Sequence, residues 1–177
     1  MRPQLTRNGR FKPAGYLGCT VHQVNLLTVH QRLYERSGGR LGHRLIRLRF
    51  LLLRTTGRRT GQPRTVTLAY ARDAAGPGRA GPGRAGPARA DYVVVASNYG
   101  SAQPPGWLLN ISADPRVQIQ DGPRRTGATA RIVSPGDPGY EHLWQLVNDH
   151  NHGRYRGYQA KTSRPIPVVV LTPGPES

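Results

Sequence analysis

Three arginines, a hydroxyl and a frame of glycines fall together in Gly57-Arg58-Arg59-Thr60-Gly61-Gln62-Pro63-Arg64. The stretch follows an apolar run, Leu51-Leu52-Leu53, and a threonine pair, Thr55-Thr56. Arginine offers forked, permanently charged donors, and glycine lets backbone N–H groups approach an anion closely. A strand that delivers such a loop is suited to hold a phosphate or a carboxylate. The same residues also suit an ordinary solvated hairpin turn, because arginines in turns are common. On this stretch alone both readings stand.

Most other chemistry is excluded. The nine acids are scattered from Glu35 to Glu176 and form neither a carboxylate pair for acid/base work nor an oxygen cage for a metal. No Gly-x-Ser-x-Gly elbow occurs, and the single cysteine, Cys19, lies in an irregular basic stretch, so no protein nucleophile stands out. His150 and His152 are spaced to face one way, but a third ligand is missing and no metal is assigned. A favourable interaction with a helix C-terminus accounts for them equally well. Gly76-Pro77-Gly78-Arg79-Ala80-Gly81 matches a dinucleotide fingerprint only formally, since it opens no helix and repeats in tandem. What remains is a set of planar walls. Trp107 follows Pro104-Pro105-Gly106, while Tyr155 and Tyr158 are three apart and align on one helical face. Their alternatives are core packing for Trp107 and exposed packing for the tyrosines. Planar walls with a cationic loop suit an anionic, ring-bearing cofactor, which performs the hard chemistry while the protein orients it.

Several elements must position these residues. The pattern predicts a helix over Val21–Arg36, ended by Gly38-Gly39, and a strand from Ile46 to Leu53 whose second half is buried on both faces. Gly57–Gln62 turns the chain into a returning strand, Arg64–Ala71, and the β-branched run Asp91–Ser97 is a third strand. A short helix covers Gly106–Ile111, and a hairpin joins Val117–Gln120 to Arg124–Val133 across Asp121-Gly122. Asp137-Pro138 is expected to cap and start a helix running to about Asn148. A last strand, Ile166–Leu171, carries Pro165 and Pro167 at its start and is expected at an edge or bulge. Six strands rich in hairpin signals, with two or three helices, predict an α+β protein built on an antiparallel barrel.

Residues 1–19 are expected to be a flexible basic arm, 20–173 a single domain and 174–177 a tail. Residues 74–90 hold three Gly-Pro-rich arginine pentads, expected to be a disordered insertion at a hairpin tip. The formal charge is +17, and all basic residues except Lys12 and Lys161 are arginine. Such charge admits nucleic acid, an anionic membrane surface or a polyanionic small molecule as partner. No nucleic-acid recognition motif is present, so no specific nucleic acid is expected. The basic N-terminal region is a candidate for peripheral contact with an anionic membrane. Without a signal peptide or a long apolar run, the expected compartment is the cytoplasm, with membrane association left open.

Four ordered blocks carry a resemblance: Leu53–Arg64, Val94–Gly100, Pro105–Ile111 with Ala113–Val117, and Tyr155–Pro167. Together they resemble the deazaflavin-dependent nitroreductase family of actinobacteria, a branch of the flavin-reductase-like split β-barrels, over roughly residues 21–173. The resemblance implies an FMN-binding-type split barrel that binds coenzyme F-420, an 8-hydroxy-5-deazaflavin with a phosphate and an oligoglutamate tail. FMN is the second candidate, and haem or a lipid occupies sister barrels. Carried over by position, Arg58, Arg59, Thr60 and Arg64 would hold the phosphate and tail. Ala96, Ser97 and Asn98 would line the ring, Gly106 and Trp107 would pack on it, and Tyr155 and Tyr158 would wall the substrate side. The implied reaction is hydride transfer to a small electron-poor acceptor, a quinone or a nitroaromatic. The chain departs from the pattern at Ala69, Asn98-Tyr99, His152 and Lys161, so the acceptor side is altered while the cofactor loop is well matched.

Overall fold

The computed structural model describes residues 44–45, 48–74 and 90–174. Runs of β-branched residues that bury both faces organise the fold. In β5 (Asp91–Val95), Val94 faces one apolar cluster while Val93 and Val95 face another. In β8 (Val168–Pro173), Val169 and Leu171 join the first cluster, and Val168 and Val170 the second. Side chains alternate across a strand, so a continuous apolar run needs cover on both sides. The first cluster fills the interior of a curled sheet, where Leu51 and Leu53 of β2 (Leu48–Thr56) meet Ile119 of β6 (Arg116–Asp121). The second lies between the sheet and two helices, α2 (Tyr140–His150) and α3 (Arg154–Gln159).

All strand pairings among the described residues are antiparallel, in the order β1-β2-β6-β7-β8-β5-β4, with β3 on the other side of β2. Here β1 is Arg44–Leu45, β3 is Pro63–Ala69, β4 is Ala71–Asp73 and β7 is Arg124–Val133. Closure comes from one bent segment. Residues 63–69 pair with β2, whereas 71–73 pair with β5, so the chain through Tyr70 joins both ends of the sheet. Tyr70 and Tyr92 donate hydrogen bonds to one Asp121 oxygen at 2.8 and 3.1 Å, and their rings meet edge-on at 5.0 Å. Burial and the Asp121 carboxylate push both phenols above their ordinary pKa, so both act as donors at neutral pH. This cluster ties the bend to β5 and to the β6–β7 turn.

The barrel expected from the hairpin signals is present, with several local corrections. The returning strand is broken at Tyr70 into β3 and β4, because its two halves have different partners. The last strand is not at an edge. It pairs with β5 on one side and β7 on the other, since Pro165 and Pro167 both precede its first paired residue, Val168. The helix expected from Asp137 begins only at Tyr140. The Asp137 carboxylate instead accepts the Ser134 N–H at 2.7 Å, and Gly139, at φ 83°, breaks the path into the helix. The first helix, α1 (Gly106–Ala113), extends two residues beyond Ile111. The expected basic arm, the Val21–Arg36 helix and nearly all of the 74–90 insertion lie outside the described residues. Asp73 and Asp91, which flank that insertion, face each other across the β4–β5 ladder.

Leu53 is fully buried in the barrel interior. Its replacement by alanine is expected to destabilise the fold by roughly 2–5 kcal/mol, the usual range for an emptied leucine site. Urea unfolding followed by tryptophan fluorescence measures this.

Candidate functional site

The turn between β2 and β3 is folded on itself. The Gly57 N–H donates to the Gln62 carbonyl at 2.8 Å, and the Gly57 carbonyl accepts from Thr60 at 3.2 Å and Gly61 at 2.7 Å. Gly61 takes φ 67°, in the region that favours glycine. A Cβ on Gly57 would lie 2.9 Å from the Gln62 carbonyl oxygen, closer than van der Waals contact allows. Hence Gly57→Ala is expected to spread the turn and lower the unfolding free energy by roughly 1–3 kcal/mol, the usual cost of overpacking. Urea unfolding detects this change. The Thr60 hydroxyl accepts the Gln62 N–H at 3.4 Å and so also braces the turn. With the backbone folded inward, Arg58, Arg59 and Arg64 are exposed.

A second element anchors the turn. Asn110, buried on α1, accepts the Arg58 N–H through Oδ1 at 3.2 Å and donates from Nδ2 to Thr55 Oγ1 at 3.0 Å. One amide therefore joins the end of β2, the turn and the helix. Between them lies an open groove of about 390 Å3, lined by Gly57, Arg58, Arg59, Thr60, Arg64, Thr65, Val66, Gly106, Trp107 and Asn110. No lining residue is acidic, and three are arginine. The helix reinforces that polarity, because α1 starts at Gly106 with no acidic residue in its first turn. The first N–H groups of a helix lack intrahelical partners and carry a partial positive charge. A Cβ on Gly106 would meet nothing within 4 Å, which leaves open space beside the half-buried Trp107. The groove is therefore cationic at the turn and open beside an indole at the start of α1.

Of the residues singled out from the sequence, the groove gathers Arg58, Arg59, Thr60, Arg64, Gly106 and Trp107. The others lie outside its lining. Ala96 and Ser97 are buried at the end of β5. The Ala96 N–H donates to the Pro167 carbonyl at 3.1 Å, and the Arg164 guanidinium donates to the carbonyls of Ala96 at 3.3 Å and Ser97 at 3.1 Å. Asn98 sits at φ 45° and donates from Nδ2 to the Gln103 carbonyl at 2.9 Å. Tyr155 is buried in the second cluster against Trp144, and Tyr158 lies half-buried beside it, with ring centroids 6.2 Å apart. Burial pushes the Tyr155 phenol up to about 12, so it stays protonated through the physiological range.

Sequence reasoning missed two residues. Asn110 stands on the buried stripe of α1, and an amide there must find polar partners, which is a legible signal. Arg164 clamps Ala96, Ser97 and Ser101, whose carbonyl accepts from Nε at 3.3 Å, and no local spacing announced it. Burial, then Arg49 and His152, hold the His150 imidazole below its ordinary pKa. Among the described residues no three His, Cys, Asp or Glu side chains come together as metal ligands. Nor is any described helix long and apolar enough to cross a membrane.

A profile of the F-420H(2)-dependent quinone reductase family matches residues 26–173. An F-420H(2)-dependent quinone reductase of Mycobacterium tuberculosis is 49% identical over 150 residues, covering 84% of this chain and 91% of the relative. The solved structure of an F-420-H2-dependent reductase aligns with TM-score 0.53 at 32% identity, over 69% of this chain and 92% of that one. A second solved structure, described as a domain-swapped dimer, aligns with TM-score 0.56 at 27% identity, over 84% of this chain and 98% of the other.

Proposed function

Because the chain belongs to the F-420H(2)-dependent quinone reductase family, and is thereby an oxidoreductase using coenzyme F-420 rather than FMN, we propose that it reduces a quinone at the groove between the β2–β3 turn and α1. The observation that carries the placement is the groove itself. Its lining is cationic at the turn, free of acids throughout, and open beside Trp107 at Gly106. Those features fit a coenzyme with a polyanionic tail and a flat ring.

Arg58, Arg59 and Arg64 supply forked donors for the phosphate and tail carboxylates, and the first N–H groups of α1 add to the same field. Thr60 keeps the turn closed, and Asn110 holds the turn against α1. Gly106 and Trp107 bound the space for the ring. When bound and reduced, the coenzyme would supply a hydride from its deazaflavin carbon to the quinone, which with one proton from solvent becomes the hydroquinone. Tyr158 meets Tyr99 edge-on and packs against the buried Tyr155, and from there it would wall the acceptor side.

The test is anaerobic turnover with reduced F-420 and a panel of quinones, following the return of oxidised-deazaflavin absorbance. Quinone-dependent return at catalytic enzyme concentration is expected. Tight coenzyme binding with no oxidation by any quinone would sink the acceptor assignment and leave the cofactor assignment standing.

A further inference from the structure

Tyr99 is the one large apolar side chain exposed among the described residues, with 56% of its surface in solvent. Its backbone lies at φ 56°, between Asn98 at 45° and Gly100 at 82°. Two consecutive non-glycine residues in the left-handed region are costly, and such strain persists only where the surroundings enforce it. They do so here. Arg164 grips the carbonyls on both sides of the turn, at Ser97 and Ser101, and the Asn98 amide ties it to Gln103. Gly100 packs so closely that an added Cβ would lie 2.6 Å from the Tyr158 carbonyl oxygen. Several contacts thus hold a phenol ring out in water, where it gains little by itself.

That ring has neighbours suited to a ligand. Tyr99 meets Tyr158 edge-on, with centroids 5.9 Å apart and planes at 75°. Lys161 Nζ stands 5.7 Å from the Tyr158 ring centroid, and its Cβ is 3.0 Å from the position a Gly100 Cβ would take. Two electron-rich rings and one ammonium therefore share an exposed corner. Along the chain the corner and the groove are close, since only residues 101–105 separate Asn98–Gly100 from Gly106 and Trp107.

We propose that Tyr99, Tyr158 and Lys161 form an acceptor-recognition corner that selects quinones bearing an anionic ring oxygen, as in ionised hydroxyquinones, over neutral quinones. This rests on the reading of the groove as the site of quinone reduction. Phenol rings attract an electron-poor quinone ring face, and the ammonium pairs with the ring oxyanion. Lys161 sets the selectivity, and Tyr99 sets affinity for the ring itself.

The experiment compares hydroxynaphthoquinone with methylnaphthoquinone as acceptors for the F-420-loaded enzyme. In Lys161→Met the ratio of their kcat/KM values is expected to fall about tenfold, the worth of one charge-assisted contact. Lys161→Arg should restore most of it. Tyr99→Ala is expected to raise KM for both acceptors about threefold with less change in kcat, as lost stacking would, and Tyr99→Leu keeps the bulk if alanine perturbs the turn. Saturation-transfer NMR on coenzyme-free protein gives an independent readout, in which Lys161→Met should weaken the hydroxynaphthoquinone signal. An unchanged acceptor ratio with an unchanged NMR signal overturns the corner while leaving quinone reduction intact. If F-420 binds but no quinone is turned over, the reduction reading fails, and the NMR comparison alone decides whether the corner binds the hydroxyquinone.

Discussion

Replacing Arg58 and Arg59 together by alanine is expected to weaken F-420 binding about a hundredfold while leaving the melting temperature within a degree or two. A hydrogen bond to a charged group contributes on the order of 1.5–3 kcal/mol. Both guanidinium groups are exposed, however, so solvent screening holds each just below that range, at about 1.4 kcal/mol per arginine. The fold is indifferent to the change, because neither side chain is buried and the turn is closed by backbone bonds among Gly57, Thr60, Gly61 and Gln62. Fluorescence titration of the oxidised coenzyme measures the affinity, and differential scanning calorimetry the stability. Affinity in the wild type should also fall steeply with added salt, and that slope should flatten in the double variant. Wild-type affinity in the double variant would mean that the tail lies elsewhere and the groove has been misassigned.

Asn110→Ala should damage both stability and binding, which sets it apart from the arginine variants. The buried amide satisfies Thr55 Oγ1 on one side and the Arg58 N–H on the other. Its removal leaves two polar groups without partners in a part-buried place, at a cost of roughly 1–3 kcal/mol each, less whatever entering water restores. The turn then loses this side-chain tie to α1, and its position against the start of the helix is no longer fixed by it. A fall of about 2 kcal/mol in unfolding free energy and a tenfold loss of coenzyme affinity are the expected pair of results. Urea denaturation and the same fluorescence titration measure them. Loss of stability with full affinity would show that the turn holds its pose unaided.

Much of the scaffold was legible from local pattern. The run Leu51-Leu52-Leu53 has to be covered on both faces, and all three leucines are buried. Asp121-Gly122 turns β6 into β7 as a hairpin signal should, with Gly122 at φ 62°. The errors share one cause. Asp137-Pro138 looked like a helix start because an N-cap is judged from neighbours, yet Asp137 bonds back to Ser134 and Gly139 turns the chain first. Pro165 and Pro167 looked like edge signals, but a proline that precedes the ladder removes no hydrogen bond from it. Tyr155 and Tyr158 share a helical face as their spacing requires, while the depth of each depended on Trp144 and Tyr99, which no spacing connects to them.

By itself the sequence determined the chemistry of the β2–β3 turn, a cationic loop framed by glycines. Arginines, a hydroxyl and glycines act over a few residues, and their charge and backbone freedom do not depend on the rest of the chain. It also determined which runs become strands, because alternation and β-branching are local. Only the tertiary structure decided that the turn closes onto α1 through Asn110, which lies 52 residues from Arg58. Only it decided that residues 63–73 bend at Tyr70 to close the barrel, and that Arg164 reaches back to hold Tyr99 in the open. Such contacts depend on the register of strands far apart in the chain, and register is set by how all the apolar faces are buried at once.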